Sequence, residues 1–276
     1  MPTRLYQVDA FTDRPFAGNP AAVCLLDRPA DAVWMQSVAR EMNLSETAFV
    51  VPGIDAAPPN CPLFGLRWFT AAGVEVDICG HATLATAHVL WESGLLAHGE
   101  RACFDTRSGR LTAARDAAWI TLDFPAMPVV PGPIPGTILT ALRVDPLFTG
   151  TCGPRCLVEV ANESIVRGLA PDFTLMRSAP GRAVIVTSRA DAGRAYDIVS
   201  RYFAPWVGVD EDPVTGVAHC ALGPFWAARL GRQTVTAYQA SARGGHLRLA
   251  LTDGLPPRVQ ISGQAVTVLV GTLRGA

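Results

Sequence analysis

Hydrophobic and polar positions along the chain alternate with a period of two in most segments and follow helical spacing in a few. RLYQVDAF (4–11) and NPAAVCLL (19–26) read as strands, with a turn at Gly18-Asn19-Pro20 between them. Residues 31–43, DAVWMQSVAREMN, carry apolar side chains at helical spacing behind Asp31, a residue type that caps helix starts. SETAFVV (45–51) and LRWFT (66–70) read as strands, and 80–93 as a helix that Gly94 is placed to stop. ACFDTRSGRLTAARDAAWITLDF (102–124) predicts a pair of strands around turn residues.

PAMPVVPGPIPGT (125–137) holds five prolines and two glycines and reads as a linker. It divides the chain into an N-terminal domain, 1–125, and a C-terminal domain, 129–276, with the last strand a candidate to cross back. In the second half, strands are expected near 155–161 and 183–188 and a helix over 192–203. A Gly- and acid-rich loop at 208–213 leads to an apolar helix at 216–230, closed by Gly231. VTAYQAS, GHLRLAL and RVQISGQAVTVLVG finish the chain as strands.

The halves rhyme at an offset of 136 residues: Gly80, Ala82 and Ala85 in GHATLATAHVLW match Gly216, Ala218 and Ala221 in GVAHCALGPFWA. Each segment follows an acidic loop, with Glu75 and Asp77 before the first and Asp210, Glu211 and Asp212 before the second. That pattern favours an internal duplication. A helix apolar nearly all round is buried on most faces. Two such helices amid strands predict two α+β domains, each a sheet wrapped round a central helix. Their starts offer orphan N–H groups and a positive dipole end, a place for a carboxylate.

Composition narrows the chemistry. With 49% apolar and 17% charged residues, the 276-residue chain is globular with a large core. A formal charge of −1 gives no electrostatic reason to expect nucleic acid or an anionic membrane as partner. All 23 basic residues are arginine, which excludes Schiff-base chemistry on lysine and a lysine general base. The first residues lack the basic start and apolar run of a signal peptide, and no run of about 18 apolar residues suggests a membrane span. Seven scattered cysteines argue against a disulfide framework, and the reading is a reduced, cytoplasmic protein.

Glu46, where a polar loop enters an apolar strand, is either a capping or surface carboxylate or a general base and acid with a raised pKa. Asp212, in DEDPVTGVAH, is either an ordinary helix-start acid or a site residue. Cys79 and His81 sit at the start of the first apolar helix. Cys-x-His is too short for a zinc motif by itself, and Cys152 with Cys156 has no partner cluster, so no metal site is expected. A thiol at a helix start facing a cleft could be reactive. A two-thiol racemase would need its second cysteine at the duplicated position, and that residue is Thr215.

QVDAFTDRPFAGNPAAVCLL, EMNLSETAFV, EVDICGHATLATAHVLW and DEDPVTGVAHCALG resemble, in order, motifs of the PhzF-like phenazine-biosynthesis family. The resemblance covers nearly the whole chain. It implies the diaminopimelate-epimerase fold, with two similar α+β domains and an active site in the cleft between them. It implies a homodimer with no cofactor and no metal, and an isomerase that moves a proton within a small carboxylate or amino-acid-like substrate. By motif, Glu46 matches the family's catalytic glutamate, His81 its active-site histidine and Asp212 its active-site aspartate. Asn19, Gly80 and Gly216 fall where the family approaches its substrate. One departure concerns specificity: the family's TGSAH serine is Val217 here, so a hydrogen-bonding group used on the phenazine-pathway substrate is replaced by an apolar one. The alternatives are a racemase or epimerase using Cys79, and a non-catalytic small-molecule binder.

Overall fold

The computed structural model describes residues 3–53, 61–252 and 254–274. By internal contacts it divides into two compact units, Met1–Phe124 with Ser262–Ala276, and Pro125–Ile261.

The first unit opens with β1 (Thr3–Ala10) and β2 (Asn19–Leu25), then α1 (Ala32–Met42), β3 (Glu46–Pro52), β4 (Leu63–Thr70) and the short β5 (Glu75–Val76). Next come α2 (Gly80–Glu92), β6 (Ala102–Thr106), β7 (Gly109–Asp116) and β8 (Trp119–Pro125). Residues 102–124 thus form three strands rather than the expected pair, because the single residues Ala117 and Ala118 suffice to turn β7 into β8, Ala117 with φ 50°. β1 pairs antiparallel with β2, β2 parallel with β3, β3 antiparallel with β4, β4 parallel with β6 and β6 antiparallel with β7. Asp31 caps α1 by accepting from the Val33 and Trp34 N–H groups. α1 covers one side of the sheet through Met35, Val38 and Ala39, which pack with Phe49 and Phe69. α2 is buried on nearly every face and packs against β1, β2 and β3.

The second unit carries β9 (Val130–Pro131), α3 (Gly136–Leu142), β10 (Phe148–Cys152), β11 (Arg155–Glu159), α4 (Glu163–Gly168), α5 (Phe173–Ser178), β12 (Ala183–Arg189) and β13 (Ile198–Ala204). β14 (Val209–Glu211), α6 (Gly216–Leu230), β15 (Thr234–Gln239), β16 (Gly245–Thr252) and β17 (Arg258–Gly263) follow, and β18 (Ala265–Leu273) ends the chain by pairing antiparallel with β1 of the first unit, to which it belongs. The proline-rich stretch is therefore not bare linker: β9 within it pairs with β10. The expected helix over 192–203 is corrected: 192–197 are turn and loop, and 198–203 lie in β13. Ile198, Val199, Tyr202 and Phe203 mimic helical spacing, but β13 is interior to the sheet and buried on both faces, which erases the period of two.

The pairing pattern of the first unit recurs in the second. β10 is antiparallel to β11, β11 parallel to β12, β12 antiparallel to β13, β13 parallel to β15 and β15 antiparallel to β16. Each unit adds a short strand, β5 on β4 and β14 on β13, directly before its buried helix. An arginine holds each short strand bidentately: Arg67 to Glu75 at 2.7 and 2.8 Å, and Arg201 to Glu211 at 2.7 and 2.8 Å. Each arginine also lies over the aromatic ring two residues on, Phe69 or Phe203.

The expectation of no disulfide is corrected. Cys61 and Cys103 are bonded across β6 and the residue pair leading into β4, with Cα atoms 5.5 Å apart; the free cysteines among the described residues are all buried. Spacing could not reveal the pair because the two residues become neighbours only when β4 and β6 align in parallel.

Candidate active site

Three elements of the first unit bring Asn19, Glu46, Cys79 and His81 together. Asn19 opens β2 and is fully buried. The turn before it is held by the Asp9 carboxylate, which accepts from the Phe16 N–H at 2.7 Å. Gly18 completes the turn at φ 63°, where a Cβ would stand 2.1 Å from the Ala10 carbonyl oxygen. Glu46 opens β3, in register with Ala21 of β2. Its side chain keeps a partial outlet to solvent.

α2 begins at Gly80 behind Cys79, which is extended and makes no side-chain cap. The first N–H groups of the helix are thus left without a cap from that residue. The Cys79 carbonyl instead accepts from the Thr83 hydroxyl at 2.6 Å. His81, one residue into the helix, lies with Nδ1 3.3 Å from Asn19 Nδ2 and 3.6 Å from Cys79 Sγ. Its Nε2 is 3.3 Å from Glu46 Oε2. The last contact lacks hydrogen-bond alignment, so Nε2 is buried with no hydrogen-bond partner. Burial pushes the imidazole pKa down to about 3. His81 is therefore neutral at ordinary pH, and its contact with Glu46 is not an ion pair. With Asn19 Nδ2 donating to Nδ1, the ring proton belongs on Nε2, facing the carboxylate.

The corresponding helix start in the second unit is built alike. α6 begins at Gly216 behind Thr215, again extended and without a side-chain cap. The Thr215 carbonyl accepts from His219 Nδ1 at 2.8 Å, the counterpart of Thr83 on Cys79. The Thr215 hydroxyl donates to Asp212 Oδ2. Gln239, fully buried, accepts from the Thr215 N–H at 2.8 Å and donates to the Asp212 carbonyl at 2.8 Å. Gly216 is buried and Val217 partly so. Sequence reasoning missed Gln239 and His219. The available signal for the first was a polar residue on the inward alternation Val235, Ala237, Gln239 of β15.

The geometry within each unit is that of an anion-accepting helix start, and in the first unit it is joined to a carboxylate beside a neutral imidazole. Such a site suits acid–base work on a small acid. Among the described residues, those that could hold a metal are Glu46, Cys79 and His81, each offering a donor atom within 4.8 Å of the others.

The fold and site together define a class: an α+β protein with the architecture shared by PhzF proteins and epimerases. A hydroxyproline epimerase from Agrobacterium vitis, solved with bound trans-4-hydroxy-L-proline, has this fold at a TM-score of 0.61 over 99% of this chain and 91% of that one, at 14% identity. The family model for phenazine biosynthesis-like proteins matches residues 8–271, and the chain belongs to that family. A PhzF-family protein from Enterococcus faecalis superposes with a TM-score of 0.90 at 37% identity, covering 99% of this chain and 100% of that one. A protein of Halalkalibacterium halodurans named an uncharacterized isomerase is 47% identical over 98% of this chain and 97% of its own length. The human phenazine biosynthesis-like domain-containing protein is 42% identical over 98% of both chains. Family membership supports isomerase activity in general. No helix among the described residues is long and apolar enough to cross a membrane.

Proposed function

We propose that the protein is a cofactor-independent isomerase that moves a proton within a small carboxylate or amino-acid-like substrate, with Glu46 as base and then acid. The observation that carries this reading is the Glu46 carboxylate 3.3 Å from the buried Nε2 of His81, beside the start of α2, which the Cys79 side chain does not cap. His81, neutral and supported by Asn19, is suited to orient Glu46 and the substrate and is not suited to donate a proton as imidazolium at neutral pH. The N–H groups that begin with Gly80 are placed to hold a carboxylate and to stabilise negative charge developing on the substrate. On the family motif, Asp212, Gly216 and Val217 are assigned to substrate orientation and binding. The proposal includes a homodimer and a small-molecule partner only.

The test is incubation in D₂O with a panel of small carboxylic and amino acids, read by mass spectrometry for deuterium uptake and by chromatography for the isomer. A substrate turned over by the wild type should lose about 10²–10⁴-fold in rate with Glu46→Gln. Near-normal turnover by that variant would remove Glu46 from the central role.

A further inference from the structure

We infer that Arg155, with Tyr202, recognises a carboxylate on the α6 side of the second unit, a place to which the residues named so far assign nothing. Strand register fixes the position. Arg155 opens β11 opposite Cys152 of β10 and alongside Ala183 of β12. Directly paired residues share a face of the sheet. Ala183, Ile185 and Thr187 form the face of β12 turned to α6, since Thr187 accepts from Trp226 Nε1 of that helix at 3.0 Å. Val184 and Val186, on the other face, pack with Ile138, Val166 and Met176 of the outer helices. Arg155 therefore lies on the α6 face, and so does Tyr202, the partner of Ile185. The equivalent of Arg155 in the first unit is Ala21, the direct strand neighbour of Glu46. One repeated scaffold thus carries a carboxylate in its first copy and, at the adjoining position of the second, a guanidinium.

That guanidinium is half-buried and has no acid partner. Its Nε donates to the Tyr202 hydroxyl at 3.2 Å, and among the described residues it makes no ion pair. Arg67 and Arg201, strand arginines of similar burial, each hold a glutamate bidentately. The groups around Arg155 do not neutralise it. Burial pushes the Tyr202 phenol above its ordinary value, and pushes the Cys152 and Cys220 thiols to about 11 and about 12 against the pull of the Arg155 charge. All three are neutral at pH 7. With Nε committed to Tyr202, the two Nη groups keep donors in the planar fork that suits a carboxylate, and Tyr202 keeps its own proton to give. The charge of Asp212 is also felt at Tyr202, which disfavours a dianion there. The ligand class is therefore a carboxylate rather than a phosphate.

The site stands independently of the isomerase reading; that its carboxylate belongs to the substrate rests on that reading. The experiment titrates full-length protein with propionate, inorganic phosphate and neutral propionamide, read by NMR at the backbone amides of β11. Propionate should give a saturable shift, phosphate weaker binding and propionamide none. Arg155→Gln should weaken propionate at least about 10-fold, while Arg189→Gln, an exposed charge at the far end of β12, should leave it unchanged. No saturable shift with propionate, an equal response to propionamide, tighter binding of phosphate, or unchanged affinity in Arg155→Gln overturns the proposal. Should Arg155→Gln fail to fold, Arg155→Lys decides the matter: it keeps the charge and loses the fork, so affinity should fall severalfold, and unchanged affinity overturns the proposal. For any acid turned over in D₂O, Arg155→Gln should raise KM at least about 10-fold with kcat nearly unchanged, whereas Glu46→Gln lowers kcat. An unchanged KM overturns the assignment of the site to the substrate. Absence of turnover across the panel counts against the isomerase reading alone, because propionate binding still decides Arg155.

Discussion

His219 offers the most direct physical test of the second unit. The residue is fully buried in α6, its Nδ1–H is given to the Thr215 carbonyl at 2.8 Å, and its Nε2 has no hydrogen-bond partner. Burial pushes its pKa down to about 4 from 6.5, against the smaller upward pull of the Thr215 bond. The folded state therefore binds a proton less readily than the unfolded chain. The stability this confers is complete above about pH 6.5 and is lost as pH falls toward 4. Between pH 7 and pH 5 the loss from this residue is about 2 kcal/mol, from 1.36 kcal/mol per pH unit. The assay is urea unfolding followed by tryptophan fluorescence at both pH values, in chelator, for wild type and His219→Gln. With a urea slope of about 2 kcal/mol/M, the wild-type midpoint should fall about 1 M further than that of the variant. Equal pH dependence in the two proteins, or an NMR titration of His219 near pH 6, would refute the burial argument.

Three further perturbations probe the scaffold. Gly18→Ala puts a Cβ 2.1 Å from the Ala10 carbonyl oxygen at a left-handed φ, so it should cost more than about 2 kcal/mol in urea unfolding and displace Asn19. Glu163 is fully buried and accepts from Tyr196, Arg167 and the Asp191 N–H; these bonds and the Arg167 charge outweigh the upward push of burial and hold its pKa at about 2. Its contribution, about 3 kcal/mol, is present above pH 4.5 and lost as pH falls toward 2, so Glu163→Gln should be costly at pH 7 and nearly neutral at pH 2. Cys103→Ser opens the disulfide that spans a sequence separation of 42, for which chain entropy predicts about 4 kcal/mol; dithiothreitol should lower the wild-type midpoint and leave the variant unchanged.

The parts of the fold legible in the sequence are those whose burial is one-sided or whose ends are marked. α1 was readable from Asp31 and its spacing, α2 and α6 from long apolar runs closed by glycine, and β1 and β2 from alternation around Gly18. β13 was not readable by period, since burial on both faces removes alternation. Its twin carried the missing information: LRWFT in β4 and SRYFA in β13 each hold the arginine and phenylalanine that tie down the next short strand. The short α3, α4 and α5 escaped because helices of six or seven residues show less than two full turns of pattern. Of the site, the motif placed each residue but not its contacts. The Asn19–His81–Glu46 chain and the Gln239–Thr215–Asp212 network depend on which strand starts lie beside which helix start.

The duplicated topology also bears on the kind of proton transfer. A two-base racemase works best when each half supplies an equivalent group. By strand register Glu46 of β3 corresponds to Ala183 of β12 and its β2 partner Ala21 to Arg155 of β11, which sets Asn19 against Gly153. At the second position of α2 and α6 stand His81 and Val217, and at the two caps Cys79 and Thr215. The scaffold is thus repeated while its reactive side chains are not. The first unit holds a carboxylate and a neutral imidazole; the second puts alanine and valine in their places and ties its threonine hydroxyl to Asp212. That asymmetry favours one proton carrier that takes and returns the same proton over a matched pair acting on opposite faces. If Glu46 is the carrier proposed above, its partial burial limits exchange with solvent, so partial retention of substrate deuterium in H₂O is the signature of the single-carrier route. Complete washout in the first turnover would favour two independent groups.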